Sequence, residues 1–257
     1  MRQDSEVRSW KEISDSVSEV QLNAPDKIFL VRHGQTNDNL NRKLSGSGKI
    51  LLNETGCRQS LELRKEIPDN IWRMYSSTLP RAVQTALIAT SDLENDFVSG
   101  SSQKTAWGDD VDRNDKALDS VLAVDLVSEL KNIVLDRNLN ERGFGDLEGR
   151  CHSSIRAYSD PDSSPPNGES YRNFAQRTLS GFCQILEDIS TIGDGRTVIV
   201  FCHAGVIRVF WSLIEPCCSL DRSISIKVEN CSLLSLPLQG LRLHSSWYST
   251  EEKSSFD

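Results

Sequence analysis

Lys27-Ile28-Phe29-Leu30-Val31-Arg32-His33-Gly34 opens with an apolar run of strand length and stops abruptly at three residues of very different chemistry. A short apolar run closed by polar residues reads as a buried strand that delivers functional groups at its end. The pattern recurs far along the chain as Thr197-Val198-Ile199-Val200-Phe201-Cys202, ending in His203-Ala204-Gly205. Ligands of open α/β sheets gather at the carboxyl ends of the strands, so both histidines are expected to face one crevice.

Between the two runs, helices and further strands alternate. Leu52 to Glu66 has a helical pattern with Asn53 as its cap, and Tyr75-Ser76-Ser77 reads as the end of another strand. Pro80 suits the first position of a helix, because the N–H it lacks has no partner there in any case. Arg81 then falls in the first turn, where a guanidinium fork joins the positive end of the helix, a combination suited to phosphate oxygens. Leu130 to Leu135 is a candidate strand feeding Asn138 to Glu141, and Pro161 to Gly168 is a loop. After Ser170 as cap, Tyr171, Phe174, Thr178, Phe182, Ile185 and Ile189 keep helical spacing. Ile224 to Val228, Leu233 to Leu236 and Leu241 to His244 suggest closing strands. The whole predicts an α/β fold with a largely parallel sheet covered on both faces.

The expected domain spans residues 27–248, with a polar, charged loop inserted around 95–120 and a solvated tail over 249–257. Residues 1–26 form a polar extension in which Val7, Trp10, Ile13 and Val17 recur at helical spacing, leaving a docking helix and disorder both open. With 257 residues, 37% of them hydrophobic, the chain can bury a sizeable core. A net charge of −8 argues against nucleic acid or an anionic membrane as partner, so any positive site is local. Seven cysteines without CxxC pairs suggest neither a disulfide framework nor a zinc ribbon. The acidic start of the chain is unlike a signal or transit peptide, and no run is long enough to span a bilayer, so a soluble cytoplasmic protein is expected.

Six segments, in order, resemble the histidine phosphatase superfamily, which includes phosphoglycerate mutases and small phosphatases. They are Leu30 to Thr36 (LVRHGQT), Leu52 to Gln59, Ser76 to Ala86 (SSTLPRAVQTA), Leu139 to Gly149 (LNERGFGDLEG), Pro166 to Ser170 and Cys202 to Arg208 (CHAGVIR). One RHG tripeptide is weak, whereas six ordered matches with their spacing kept are specific. The resemblance implies a three-layer α/β/α sandwich of the phosphoglycerate mutase type.

It also implies roles. His33 matches the nucleophile that becomes phosphohistidine, Arg32, Arg81 and His203 match the rest of the phosphate pocket, and Glu141 matches the proton donor. Asn39 matches a further phosphate contact, with Gln35 and Thr36 on the same rim. Arg142 and Ala204 complete the candidate substrate contacts, although Arg142 reads equally well as a solvated charge. Two guanidiniums and a histidine supply the charge that magnesium gives elsewhere, so no metal and no cofactor is expected. His152 and His244 are left outside the site. Mutases of this family carry a long insertion after the Glu-Arg pair and a tryptophan soon after the asparagine. Here the first is short and the second is replaced around Ser45-Gly46-Ser47. Hydrolysis of a small phosphorylated metabolite such as a sugar phosphate is therefore expected over mutase activity, a catalytically weak family member acting as a binding or regulatory protein being the other alternative, with monomer and homodimer both open.

Overall fold

The computed structural model describes residues 7–19, 27–90, 133–190, 197–214, 226–236, 238 and 241. The expected insertion around 95–120, the tail, Cys217, Cys218 and His244 lie outside the described residues. The elements in chain order are α1 (Trp10–Glu19), β1 (Lys27–Arg32), α2 (Asn37–Leu40), α3 (Glu54–Leu63), β2 (Ile71–Ser76), α4 (Pro80–Thr90), β3 (Ile133–Leu135), α5 (Tyr171–Ser190), β4 (Thr197–Cys202), α6 (Ala204–Trp211) and β5 (Leu233–Leu236). Three short 3-10 turns, Arg137–Leu139, Gly145–Leu147 and His152–Tyr158, lie between β3 and α5.

The five strands form one sheet in the order β3-β2-β4-β1-β5. Only β5 runs antiparallel. The all-buried strand β4, with no polar residue between Val198 and Cys202, takes the centre, as a strand covered on both faces should. On one face, Ile28, Leu30, Tyr75, Val198 and Val200 pack with residues of α1, α5 and α6. On the other, Val31, Ile133, Ile199 and Phe201 pack with Leu63 of α3 and Ala86, Leu87 and Ala89 of α4. This is the expected three-layer sandwich. Among the described residues, no helix is long and apolar enough to cross a membrane.

Local signals account for the helix starts. Asn53 caps α3 by accepting from Gly56 N at 2.9 Å. Ser170 accepts from Asn173 N at 3.1 Å at the head of α5, and Pro80 opens α4. Of the two alternatives for the first residues, the structure takes the helix: Trp10, Ile13 and Val17 of α1 are buried against α5, while Val7 is exposed. Arg8 fixes the entry by a two-point pairing with Glu187 at 2.7 and 2.8 Å.

The expected strand over Ile224–Val228 is not formed by its described part: residues 226–228 lack sheet pairing. Their carbonyls are taken instead by arginines, Ile226 O by Arg208 Nε at 2.9 Å and Val228 O by Arg32 Nη1 at 2.6 Å. Leu241 is likewise outside any strand, and the rest of that expected strand is not described.

Because Ile13 is fully buried, Ile13→Ala should lower the unfolding free energy by about 2 to 5 kcal/mol. Urea denaturation checks this, and an unchanged midpoint would mean that α1 is not docked in solution.

Candidate active site

The register of the parallel strands sets the site. Arg32 pairs with Cys202 and Ser76 with Phe201, so the carboxyl ends of β1, β4 and β2 lie level. The next residues, His33, His203 and Ser77, emerge together above the sheet. The two imidazoles lie 5.2 Å apart, centroid to centroid, and both are buried.

The tautomer of His33 follows from its partner. Nδ1 lies 2.7 Å from Gly34 O, which only accepts, so Nδ1 carries the proton and Nε2 keeps the lone pair. The backbone here is closely packed: a Cβ on Gly34 would stand 2.5 Å from the Gly56 carbonyl oxygen, so α3 can abut the His33 loop only if residue 34 has no side chain. Thr85 Oγ1 accepts from Gly34 N at 2.9 Å, and Thr85 in turn donates to Arg81 O at 2.8 Å.

His203 is oriented by a chain that also resolves its protons. Thr78 N donates to Asn140 Oδ1 at 2.8 Å, which identifies that atom as oxygen. Ser77 therefore donates its hydroxyl to Asn140 Oδ1 at 2.7 Å and accepts from His203 Nε2 at 2.8 Å. That leaves His203 Nδ1 buried without a partner among the described residues. Arg32 Nε and Arg81 Nε share this condition. Buried polar atoms seldom stay unpaired unless a ligand completes them.

Burial holds both imidazoles well below the ordinary histidine range. For His33, the guanidiniums of Arg81 and then Arg32 push the same way, against the bond to Gly34 O. For His203, Arg81, His33, Arg177 and Arg32 do so. The same burial lowers Arg32 and brings Arg81 down to about 10, and Glu141 is the largest charge opposing this in each case.

Two arginines differ from expectation in detail. The terminal nitrogens of Arg81 donate to the carbonyls of Ser45, Gly46 and Gly48 at 3.0, 2.8 and 3.2 Å, so they shape the 45–48 loop. Arg32 spends one terminal nitrogen on Val228 O. Each nevertheless keeps N–H groups to offer, since a guanidinium has five.

Glu141 spans to the head of α6: Oε2 accepts from Gly205 N at 3.1 Å and Oε1 from Arg142 N at 3.0 Å. A Cβ on residue 205 would lie 2.1 Å from Glu141 Oε1, so glycine there is what admits the carboxylate. Ala204 is the half-buried first residue of α6. Asn39 is held on the His33 side, its Oδ1 accepting from Thr36 N at 3.2 Å.

Gln35 and Thr36 border the site but are bound into its scaffold. Gln35 donates its N–H to Gln59 and accepts from Asn53 Nδ2, and the buried Thr36 caps α2. Arg142 is buried beside the rings of Phe144 and Tyr171, with Nε on Glu169 O at 3.0 Å and Nη2 unpartnered. Glu169 is a framework acid: its carboxylate pairs with Arg177 at 3.0 and 2.5 Å.

Arg177 and Asn140 are supports of the site that reading the sequence missed. Arg177 donates to the carbonyls of Asn138, Asn140 and Glu141 at 3.1, 2.9 and 3.0 Å, tying the Glu141 loop to α5. Its position three residues after Phe174, within the buried stripe of α5, was the available signal. His152 stands at the rim, where burial and then Arg208 hold its ring below the ordinary histidine range, against Glu141.

Buried guanidiniums with unpartnered Nε atoms, at the carboxyl edge of a parallel sheet, stand where α/β proteins bind their ligands. The sequence profile of the histidine phosphatase superfamily (branch 1) matches residues 28–99 and 117–248. The chain belongs to that superfamily. It is 25% identical over 222 residues to a 2,3-bisphosphoglycerate-dependent phosphoglycerate mutase of Protochlamydia amoebophila, covering 79% of this chain and 90% of that one. It is 26% identical over 233 residues to a metal-independent phosphoserine phosphatase of Arabidopsis thaliana, covering 86% and 79%. A mycobacterial glucosyl-3-phosphoglycerate phosphatase complexed with VO3 shares the fold, with a TM-score of 0.57, 20% identity and coverage of 81% and 91%.

Both buried rings are neutral in the folded protein but protonate at about pH 6.5 in the unfolded chain. The unfolded state then binds more protons below that pH, so stability is intact above it and falls as pH drops from 7 to 5.5, by up to roughly 1.4 kcal/mol per pH unit for each ring. Urea unfolding across this interval should show the slope, reduced in His203→Asn. Equal slopes in the two proteins would contradict a buried neutral His203.

Proposed function

We propose that the protein is a metal-independent phosphomonoester hydrolase that acts through a phosphohistidine at position 33. The observation that carries this reading is the pair of buried unpartnered donors, Arg32 Nε and Arg81 Nε, with the equally unpartnered Nδ1 of His203, around an imidazole whose Nε2 holds a lone pair. In the first step Nε2 of His33 forms a bond to phosphorus while the ester P–O bond breaks, and Glu141 gives its proton to the leaving oxygen. The guanidinium donors of Arg32 and Arg81, joined by His203 once its Nδ1 takes up a proton with the entering anion, neutralise the phosphoryl oxygens through the transition state. In the second step water attacks phosphorus, Glu141 takes back a proton, and the N–P bond breaks to release inorganic phosphate.

Burial serves this chemistry twice. It keeps His33 neutral, hence nucleophilic, and it removes water that would screen the guanidiniums. The bond from Gly34 O stabilises the positive charge that His33 gains when Nε2 is phosphorylated. Asn39 adds a contact to the phosphate. The substrate in this reading is a small phosphorylated metabolite such as a sugar phosphate.

A mutase is the second reading, favoured by the phosphoglycerate mutase relative. Against it stands the span between Arg142 and His203, only 60 residues long, too short for the insertion that would retain a product until it reorients. The two readings part at the phosphoenzyme, which passes its phosphate to water in one and to a second hydroxyl in the other.

Purified protein should hydrolyse p-nitrophenyl phosphate in excess EDTA and be inhibited by vanadate, which mimics the five-coordinate transition state. His33→Ala should cut turnover by at least about a thousand-fold. Hydrolysis that survives this substitution would exclude the phosphohistidine. A wild type inert toward a broad panel of phosphate esters would exclude hydrolysis itself.

A further inference from the structure

The turn before β5 carries a residue that no motif drew attention to. Asn230 reaches across to the end of β1 and donates from its side-chain nitrogen to His33 O at 2.9 Å and to Asn39 Oδ1 at 3.2 Å. Because a backbone carbonyl only accepts, the donating atom of Asn230 is its amide nitrogen. The turn is locked to the same strand end by Cys231 N, which donates to Arg32 O at 2.9 Å, and by Ser232 O, which accepts from Arg32 N at 3.4 Å. Cys231 adopts a left-handed backbone conformation, φ 55°, to make this contact, a costly choice for a residue with a side chain.

The consequence falls on Asn39. Its Oδ1 receives two N–H groups, one from Thr36 N and one from Asn230, so the oxygen is held inward. An amide that rotates by half a turn would put its NH2 against both donors. The Asn39 NH2 is therefore the end left over, and it has no partner among the described residues. An asparagine can contact phosphate only with that end, since its oxygen would repel the anion.

We propose that Asn230 is a positioning residue for the phosphate site: it fixes the rotamer of Asn39 so that an N–H donor, not a carbonyl oxygen, faces the bound phosphoryl group. This rests on the phosphate-contact role assigned to Asn39 above. Thr36 N alone supplies one bond of ordinary strength, which leaves the flipped amide appreciably populated. Asn230 adds the second bond and also anchors itself to His33 O, so the same residue ties the nucleophile's backbone to the donor opposite it.

A double-mutant cycle tests this with two readouts on the full-length protein: kcat and KM for p-nitrophenyl phosphate, and calorimetric affinity for orthovanadate. Asn230→Ala should weaken vanadate binding and lower kcat/KM by about ten-fold in the native background. In an Asn39→Ala background the same change should cost less than about two-fold, because the group that Asn230 orients is gone. Equal losses in both backgrounds would overturn the proposal and assign Asn230 to the general integrity of the turn. If Asn230→Ala does not fold, Asn230→Ser, which keeps a polar side chain in the turn, enters the same cycle. The vanadate arm needs no turnover, so it decides the role of Asn230 even if the hydrolase reading fails.

Discussion

The pairing of Arg32 with Cys202 across β1 and β4 is the constraint on which the rest depends. Side chains alternate across a sheet, so a slip of one residue would send one histidine to the opposite face. With this register, two rings from opposite ends of the polypeptide lie 5.2 Å apart, and Ser77 from β2 arrives at the same level to hold the second. The apolar residues of β4, buried on both faces, are what make the register costly to change. Packing thus carries the positional accuracy that the chemistry requires.

Burial of positive charge is the second organising fact. Removing guanidiniums from water is expensive unless an opposite charge compensates, and Glu141 is the acid that does most to offset Arg32 and Arg81. The buried Nε atoms of Arg32 and Arg81 have no partner among the described residues, so an anion that enters meets donors already in place. Arg177, Asn140 and Asn230 belong to the same economy of fixed geometry. They touch no candidate reacting atom, yet each secures the backbone or amide beside one.

Much of this was legible in the sequence because the signals were local. Apolar runs ending in Arg-His-Gly and His-Ala-Gly marked β1 and β4, Pro80 and Asn53 marked helix starts, and the steps of three and four marked α5, while the same spacing in the first residues left α1 and disorder both open. What escaped were bonds between side chains and carbonyls far apart in the chain. Asn230 lies 197 residues from His33, and Arg177 grips the carbonyls of Asn138, Asn140 and Glu141. Any residue offers the same carbonyl, so such partners leave no trace in composition or spacing. The described part of the strand expected over Ile224–Val228, residues 226–228, is unpaired for the same reason: two arginine side chains claimed carbonyls at 226 and 228 that a neighbouring strand would need. Arg81 was placed correctly at the head of α4, but its grip on the 45–48 loop follows only from that loop's fold.

The account stands or falls on one nitrogen. Rapid mixing with a radiolabelled phosphate ester, an alkaline quench that preserves N–P bonds, and peptide mapping would locate the transferred group. The prediction is acid-labile phosphate on Nε2 of His33, since Nδ1 is occupied by its bond to Gly34 O. Label on Nδ1, or on another side chain, would contradict it.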